Sequence, residues 1–357
     1  MKNLLRFLLL FIFSQIHSQV LVRYNIVGYD PNSAKEAVIM SNSTCNGYSW
    51  SLKNSLNQVV ISGTLSGSGT AAGDYMPMAH NYKINFTGVN QAGNYVLSVQ
   101  NAADVNIRIA CQPYKEFLPL ILRTIRVRRS ASHDALDHLY SHGKDSSSVI
   151  WRRNGTNNGS WSKDASDKKL NMIGGHYDAG DYIKFTITEA YMIYHLLRAY
   201  EAAPELFDNV KQHSTTNLDD LLDECKWGLD YLLRTHPSAD EFVIQTGGAD
   251  DHKEWPLRLP EDDKLDGKRE CYSILSKTQM GMTSATLALG AKIFKSKGYN
   301  TLANSYESKA IEIFNNAKAS GINTAWWQGG HEVFYADNSH NDNMQLAAIE
   351  LFNLTGN

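Results

Sequence analysis

Cysteine is scarce: Cys45, Cys111, Cys225 and Cys271 are the only four in 357 residues. No two form a C-x-x-C pair, which excludes a zinc ribbon and a dithiol redox site. Pairing Cys45 with Cys111 and Cys225 with Cys271 would staple two parts of the chain. Four unpaired thiols are the other reading. An excess of either charge is also missing. The 34 Lys and Arg nearly balance 37 Asp and Glu, so no net field points to a nucleic acid or a membrane as partner. The one basic cluster, Arg123 to Arg129, is short and interleaved with Thr124, Ile125 and Val127. It suits a helix end that carries salt bridges. Beyond residue 13, no apolar run reaches membrane-spanning length.

What is present begins with a leader. Lys2 and Arg6 flank a short positive end, Phe7 to Phe13 is apolar, and Ser14 to Ser18 supplies small residues near a cleavage point. This reads as a secretory signal peptide over residues 1–18, and the expected location is extracellular or periplasmic. Residues 19–111 then show short β-rich runs parted by Gly, Asn, Asp and Pro. The runs are Val20–Tyr29, Glu36–Met40, Tyr48–Leu52, Gln58–Leu65, Tyr82–Phe86, Asn94–Gln100 and Val105–Ala110. Their length and spacing predict an antiparallel β-sandwich. It carries no nucleophile, metal cluster or phosphate loop, so its expected role is a scaffold.

From Tyr114 the period changes. Helices are predicted over Tyr114–Val127, Thr188–Ala202, a third segment through Leu218, Leu221, Leu222, Cys225, Leu229 and Leu232, then Met280–Lys295, Thr301–Lys318 and Asp342–Leu354. No strand signal separates them, so residues 112–357 are expected to be all-α, built from stacked helical hairpins. Long loops alternate with the helices, among them the polar stretch Ser130–Lys169, and should gather on one rim as a site.

The candidate chemistry centres on Gly174-Gly175-His176-Tyr177-Asp178-Ala179-Gly180-Asp181-Tyr182-Ile183-Lys184-Phe185. Two carboxylates three residues apart repel, so one should have a shifted pKa. A carboxylate general base acting on water needs such a group. Two other roles fit the same residues: capping of the helix that follows, or a metal site from His176 with Asp178 and Asp181. A second cluster, Asp250-Asp251-His252-Lys253-Glu254-Trp255, offers hydrogen bonds beside a stacking ring, or is a solvated loop with a buried Trp. A third, Trp326-Trp327 followed by His331 and Tyr335, is a sugar platform or a hydrophobic plug.

At these residues the chain resembles glycoside hydrolase family 9, the inverting cellulase family. Gly174–Phe185 is similar to that family's signature around its catalytic aspartates, which more often carries an aromatic residue where this chain has His176. Asp251-His252-Lys253-Glu254-Trp255 is similar to its Asp-His-x-x-Trp segment. Asn341–Leu351 resembles one of its helices, and Val27–Lys35 the opening of the immunoglobulin-like domain that precedes many members.

The resemblance implies an Ig-like sandwich followed by an (α/α)6 barrel, of which about the first half is present. It implies hydrolysis of β-1,4-glucan with inversion, endo-acting, on cellulose or a related polysaccharide. Exo action on oligosaccharides, or glycan binding without catalysis, are the alternatives. Asp181 matches the general base and Asp178 a partner holding the same water. His252, Trp255, Tyr177 and Tyr335 would line the substrate cleft. The family's acid, a glutamate near the end of the domain, has no match before Asn357. The chain is therefore expected to be truncated within its catalytic domain and inactive alone. No cofactor is expected: many members carry a calcium loop, but here it reads Ser276-Lys277-Thr278-Gln279-Met280 without acids, and Asp342 alone matches a further ligand position.

Overall fold

The computed structural model describes residues 19–70, 78–133, 142–153, 160–248, 269–320, 335 and 339–357. The chain divides into two compact units, Met1–Phe117 and Leu118–Asn357.

Seven strands build the first unit: β1 Leu21–Arg23, β2 Glu36–Ser41, β3 Ser49–Lys53, β4 Val59–Thr64, β5 His80–Asn85, β6 Gly93–Val99 and β7 Val105–Ile109. They form two antiparallel sheets, β1-β2-β5 and β4-β3-β6-β7. Alternation explains the pairing. Tyr82 and Ile84 on β5 and Tyr95, Leu97 and Val99 on β6 turn inward, and Ile39, Leu52, Phe86 and Ile107 complete the core. Only the first predicted strand differs. It ends at Arg23, and Asn25 then turns the chain by accepting from the Val27 amide and donating to the Gly28 carbonyl.

The second unit corrects the all-α expectation. Among the described residues there are six α-helices: α1 Leu118–Arg126, α2 Thr186–Ala202, α3 Asp220–Arg234, α4 Lys277–Ser296, α5 Asn300–Ser320 and α6 Asn341–Thr355. Between them lie six strands: β8 Ser148–Arg153, β9 Trp161–Lys163, β10 Lys169–Leu170, β11 Lys184–Phe185, β12 Val243–Thr246 and β13 Glu270–Ser273. They join in one sheet of order β10-β8-β13-β12-β11, with β9 paired to β8. Several are only two to four residues long, too short for a period to emerge, and their partners are remote. Cys271 pairs in parallel with Ile150, and Phe185 opposes Gln245. Sequence distance hid this sheet. It also takes in part of the polar stretch Ser130–Lys169, which the sequence pattern reads as loop.

Helix α4 is apolar or small on nearly every face and is buried on nearly every face, as such a helix must be. It packs against α2, α5 and α6. Small polar residues tie it down: the Ser284 hydroxyl donates to the Ala310 carbonyl at 2.8 Å and that of Thr286 to the Ala190 carbonyl at 2.9 Å. The Ser276 hydroxyl caps its start by accepting from the Gln279 amide. All four cysteines are free thiols; Cys45, Cys225 and Cys271 are buried and Cys111 is exposed, so the reading without pairing holds. Among the described residues, no helix is long and apolar enough to cross a membrane.

Candidate active site

The sheet fixes both ends of the loop that carries the two aspartates. It leaves β10 at Leu170 and returns as β11 at Lys184, which runs straight into α2. Gly175 has φ of +74°, and a Cβ there would lie 2.8 Å from the Tyr231 ring, so only glycine fits the turn. The loop then runs antiparallel to residues 128–130. The Ser130 amide donates to the Gly175 carbonyl and the Tyr177 amide to the Arg128 carbonyl, both at 2.9 Å.

Lys184 anchors the loop from below. Fully buried, it donates to the carbonyls of Met172 at 2.6 Å and Gly174 at 2.9 Å, and pairs with Asp145 at 2.8 Å. Burial pushes its amine down to about 8, against the pull of Asp145. Asp145 also receives two hydrogen bonds from Arg269, whose third nitrogen donates to the Tyr182 carbonyl at 2.7 Å. Burial would raise the Asp145 carboxyl, but Arg269 and Lys184 hold it well below its ordinary value. One buried triad therefore grips the loop at three carbonyls.

Within the loop, Asp178 is held by two hydroxyl donors. Its Oδ1 accepts from the Thr188 hydroxyl at 2.6 Å, and its Oδ2 accepts from the Tyr335 hydroxyl. Burial raises its pKa and Asp181 adds to the rise, while the two hydroxyl donors oppose it. Asp181 is 9% exposed and accepts from the Ile183 amide at 3.0 Å. The Tyr335 phenol is pushed up by burial and by its bond to Asp178, and its ring meets Phe185 edge-on at 5.3 Å.

Tyr177 is only 2% exposed; it packs edge-on against His142 and Tyr182. Its ring thus supports the loop from inside rather than lining an open surface. His252, Trp255 and the Trp326-Trp327 pair lie outside the described residues, as does the leader. The capping alternative is not what the acids do, since α2 is capped at Phe185 without a side-chain bond. Nor does His176 join the aspartates as a metal ligand, because its two ring nitrogens face Glu189 at 3.0 Å and Glu224 at 3.3 Å. Among the described residues no group of three or more His, Cys, Asp or Glu is arranged to hold a metal. At the proposed calcium position the start of α4 offers Lys277 and Thr278 where a hard cation would need carboxylates, so the residues present do not fit that ion.

Sequence pattern did not mark Glu189, Glu224, Lys184, Asp145 or Arg269. One signal was available: Glu224 stands among Leu221, Leu222 and Cys225 on the apolar face of α3, where a charge needs a partner. The basic cluster supplies it. Arg126 and Arg129 are buried and paired with Asp223 and Glu224 at 2.6–3.2 Å, the salt-bridging role expected of them.

The model of a family described as glycosyl hydrolase family 9 matches residues 114–357, and that of a cellulase N-terminal Ig-like domain matches residues 17–104. The chain is 31% identical over 221 residues to Endoglucanase A of Bacillus pumilus, a match covering 53% of this chain and 31% of that protein. To Endoglucanase 5 of Arabidopsis thaliana it is 30% identical over 203 residues, covering 54% of this chain and 30% of that one. The matched part thus spans about a third of the length of these relatives. Among solved structures, a metagenome-derived family 9 endoglucanase superposes with a TM-score of 0.74 at 23% identity, over 95% of this chain and 62% of that one. A Bacteroides ovatus protein described as GH9 gives 0.72 at 21%, over 94% and 62%. At such identity these structures speak for the fold alone. The family model covers more than half of the chain, through the loop that carries Asp178 and Asp181, and an Ig-like domain precedes it: the chain belongs to glycosyl hydrolase family 9.

Proposed function

We propose that this chain carries the base side of an exported, inverting glycosidase that cleaves β-1,4 bonds inside cellulose or a related β-glucan. One observation carries the reading: two neighbouring carboxylates on a rigidly anchored loop, in a family 9 chain, one of them already occupied by two hydroxyl donors. Both oxygens of Asp178 accept from Thr188 and Tyr335, which suits an acid that orients a water rather than deprotonates it. Asp181, at the position that matches the family's general base, serves as the base, and Asp178 helps hold its water. Inversion requires that water to fit between base and acid, so the proton-donating carboxyl belongs about 6.5–9.5 Å from Asp181. His252 and Trp255 would supply the hydrogen bond and the stacking face of neighbouring glucose subsites, with Tyr335 at the rim beside Asp178. The names of the curated relatives, all endoglucanases among those described above, support the substrate class.

The test is Asp181→Asn in the protein expressed from its complete reading frame, assayed on soluble cellulose derivatives. Turnover should fall by roughly 100- to 10,000-fold, the range of a lost general base, with glucan binding retained. The viscosity of the polymer should drop early in the wild-type reaction, as endo cleavage demands. Wild-type turnover in the variant would overturn the base assignment. Release of one small product from chain ends would replace endo with exo action.

A further inference from the structure

Beneath the loop lies a group of buried charges that the reaction does not use. Arg126, Arg129, His176, Glu189, Asp223 and Glu224 are each no more than 4% exposed. They come from five places: the end of α1, the residues just after it, the loop itself, helix α2 and helix α3. Arg126 reaches Asp223 at 2.6 Å and Glu224 at 3.2 Å; Arg129 reaches Glu224 at 2.9 Å and Asp223 at 3.0 Å. Asp223 also accepts from the Thr216 hydroxyl at 2.8 Å. The two guanidiniums thus answer the two acids of α3. Glu189 is left over, a third carboxylate with no guanidinium.

His176 closes that gap. Its amide donates to Glu189 Oε2 at 3.0 Å, its Nδ1 lies 3.0 Å from Glu189 Oε1, and its Nε2 lies 3.3 Å from Glu224 Oε2. A neutral imidazole carries one N–H and would turn a lone pair toward one of the two carboxylates. Only the imidazolium donates on both sides, to Glu189 at 3.0 Å and to Glu224 at 3.3 Å. Gly228 on α3 leaves room for the Glu189 carboxylate: a Cβ there would lie 2.6 Å from Glu189 Oε1. Lys184 and Tyr231 also interact electrostatically with Glu189, and Asp178 and Asp181 follow His176 in the loop.

We infer that His176 is a positioning residue: as a buried imidazolium clamped between Glu189 and Glu224, it locks the loop that presents Asp178 and Asp181. This inference rests on the proposed glucanase reading only for what the loop does, and its charge state is tested without activity. The geometry agrees with the titration direction. Burial opposes the proton, but Glu189 and Glu224 outweigh it and hold the ring up at about 9.

The experiment uses the full-length protein. Imidazole nitrogen shifts should show both nitrogens of His176 protonated at pH 7.5; a single protonated nitrogen overturns the inference. In His176→Gln, turnover on soluble β-glucan should fall at least about 10-fold with KM within about threefold. Hydrogen exchange at the Asp178 and Ile183 amides should quicken. Adding Glu189→Gln removes the carboxylate that loses its imidazolium partner, so the double variant should recover much of the thermal stability lost by His176→Gln. Losses that simply add, or unchanged turnover and exchange in His176→Gln, would refute the clamp. If the wild type proves inactive on every glucan, the functional reading fails, while the imidazole shifts, the exchange rates and the stability cycle still decide the role of His176.

Discussion

Replacing Lys184 with methionine removes one positive charge from a site with no access to water. Methionine matches the chain in length and apolar bulk, so the loss is the ammonium rather than the packing. Breaking a buried pair by deleting one partner costs about 3–5 kcal/mol, because the other charge is left behind. Asp145 keeps both hydrogen bonds from Arg269, at 3.0 and 2.8 Å, which places the cost near the lower figure. The carbonyls of Met172 and Gly174 lose their donor as well, at a net cost of about 1 kcal/mol each. A total near 4–5 kcal/mol follows, equivalent to a Tm drop of about 10–20 °C for a unit of this size. Calorimetry on the full-length protein reads it directly. Turnover should also fall at temperatures where the variant is still folded, since Gly174 opens the loop that carries Asp178 and Asp181. Lys184→Arg should not rescue it, because the bulkier planar guanidinium has no space in a fully buried site. A Tm within about 3 °C of wild type would refute the view that this triad holds the loop.

Gly175→Ala should destabilise by roughly 2–4 kcal/mol, combining a left-handed φ with a methyl 2.8 Å from the Tyr231 ring; denaturant titration measures it. Tyr335→Phe removes one of the two donors to Asp178 and keeps the ring on Phe185, so turnover should fall about 10-fold while Tm stays within a few degrees; unchanged turnover would detach Tyr335 from the site. The pH dependence of stability has a defined sign. His176 holds its proton more tightly folded, at about 9, than unfolded, near 6.5. Its contribution is therefore fully present below about pH 6.5 and is lost as pH rises through 9. Urea unfolding should show that decline in the wild type and not in His176→Gln.

Elements whose signal is local were legible in the chain. The seven sandwich strands and six helices fall where period and turn residues put them, because alternation and the 3.6-residue repeat act over neighbours. The loop of residues 174–185 also announced itself, through glycines and paired acids with few structural uses together. What stayed hidden was non-local. The six-stranded sheet joins segments of two to six residues that meet only after folding. The partners of the loop are equally remote: Asp145 and Lys184 lie far apart in sequence, as do Arg129 and Glu224. Tyr177 shows the same limit, since an aromatic beside an aspartate reads as substrate contact until burial turns it inward.

The sequence by itself determined that this chain has a β-sandwich, a helical unit and an acidic loop of family 9 type, since each is written in contiguous residues. Tertiary structure alone decided how that loop is held. A charge removed from water must find its counterpart nearby in space, and only the fold brings Lys184 to Asp145 and His176 between Glu189 and Glu224.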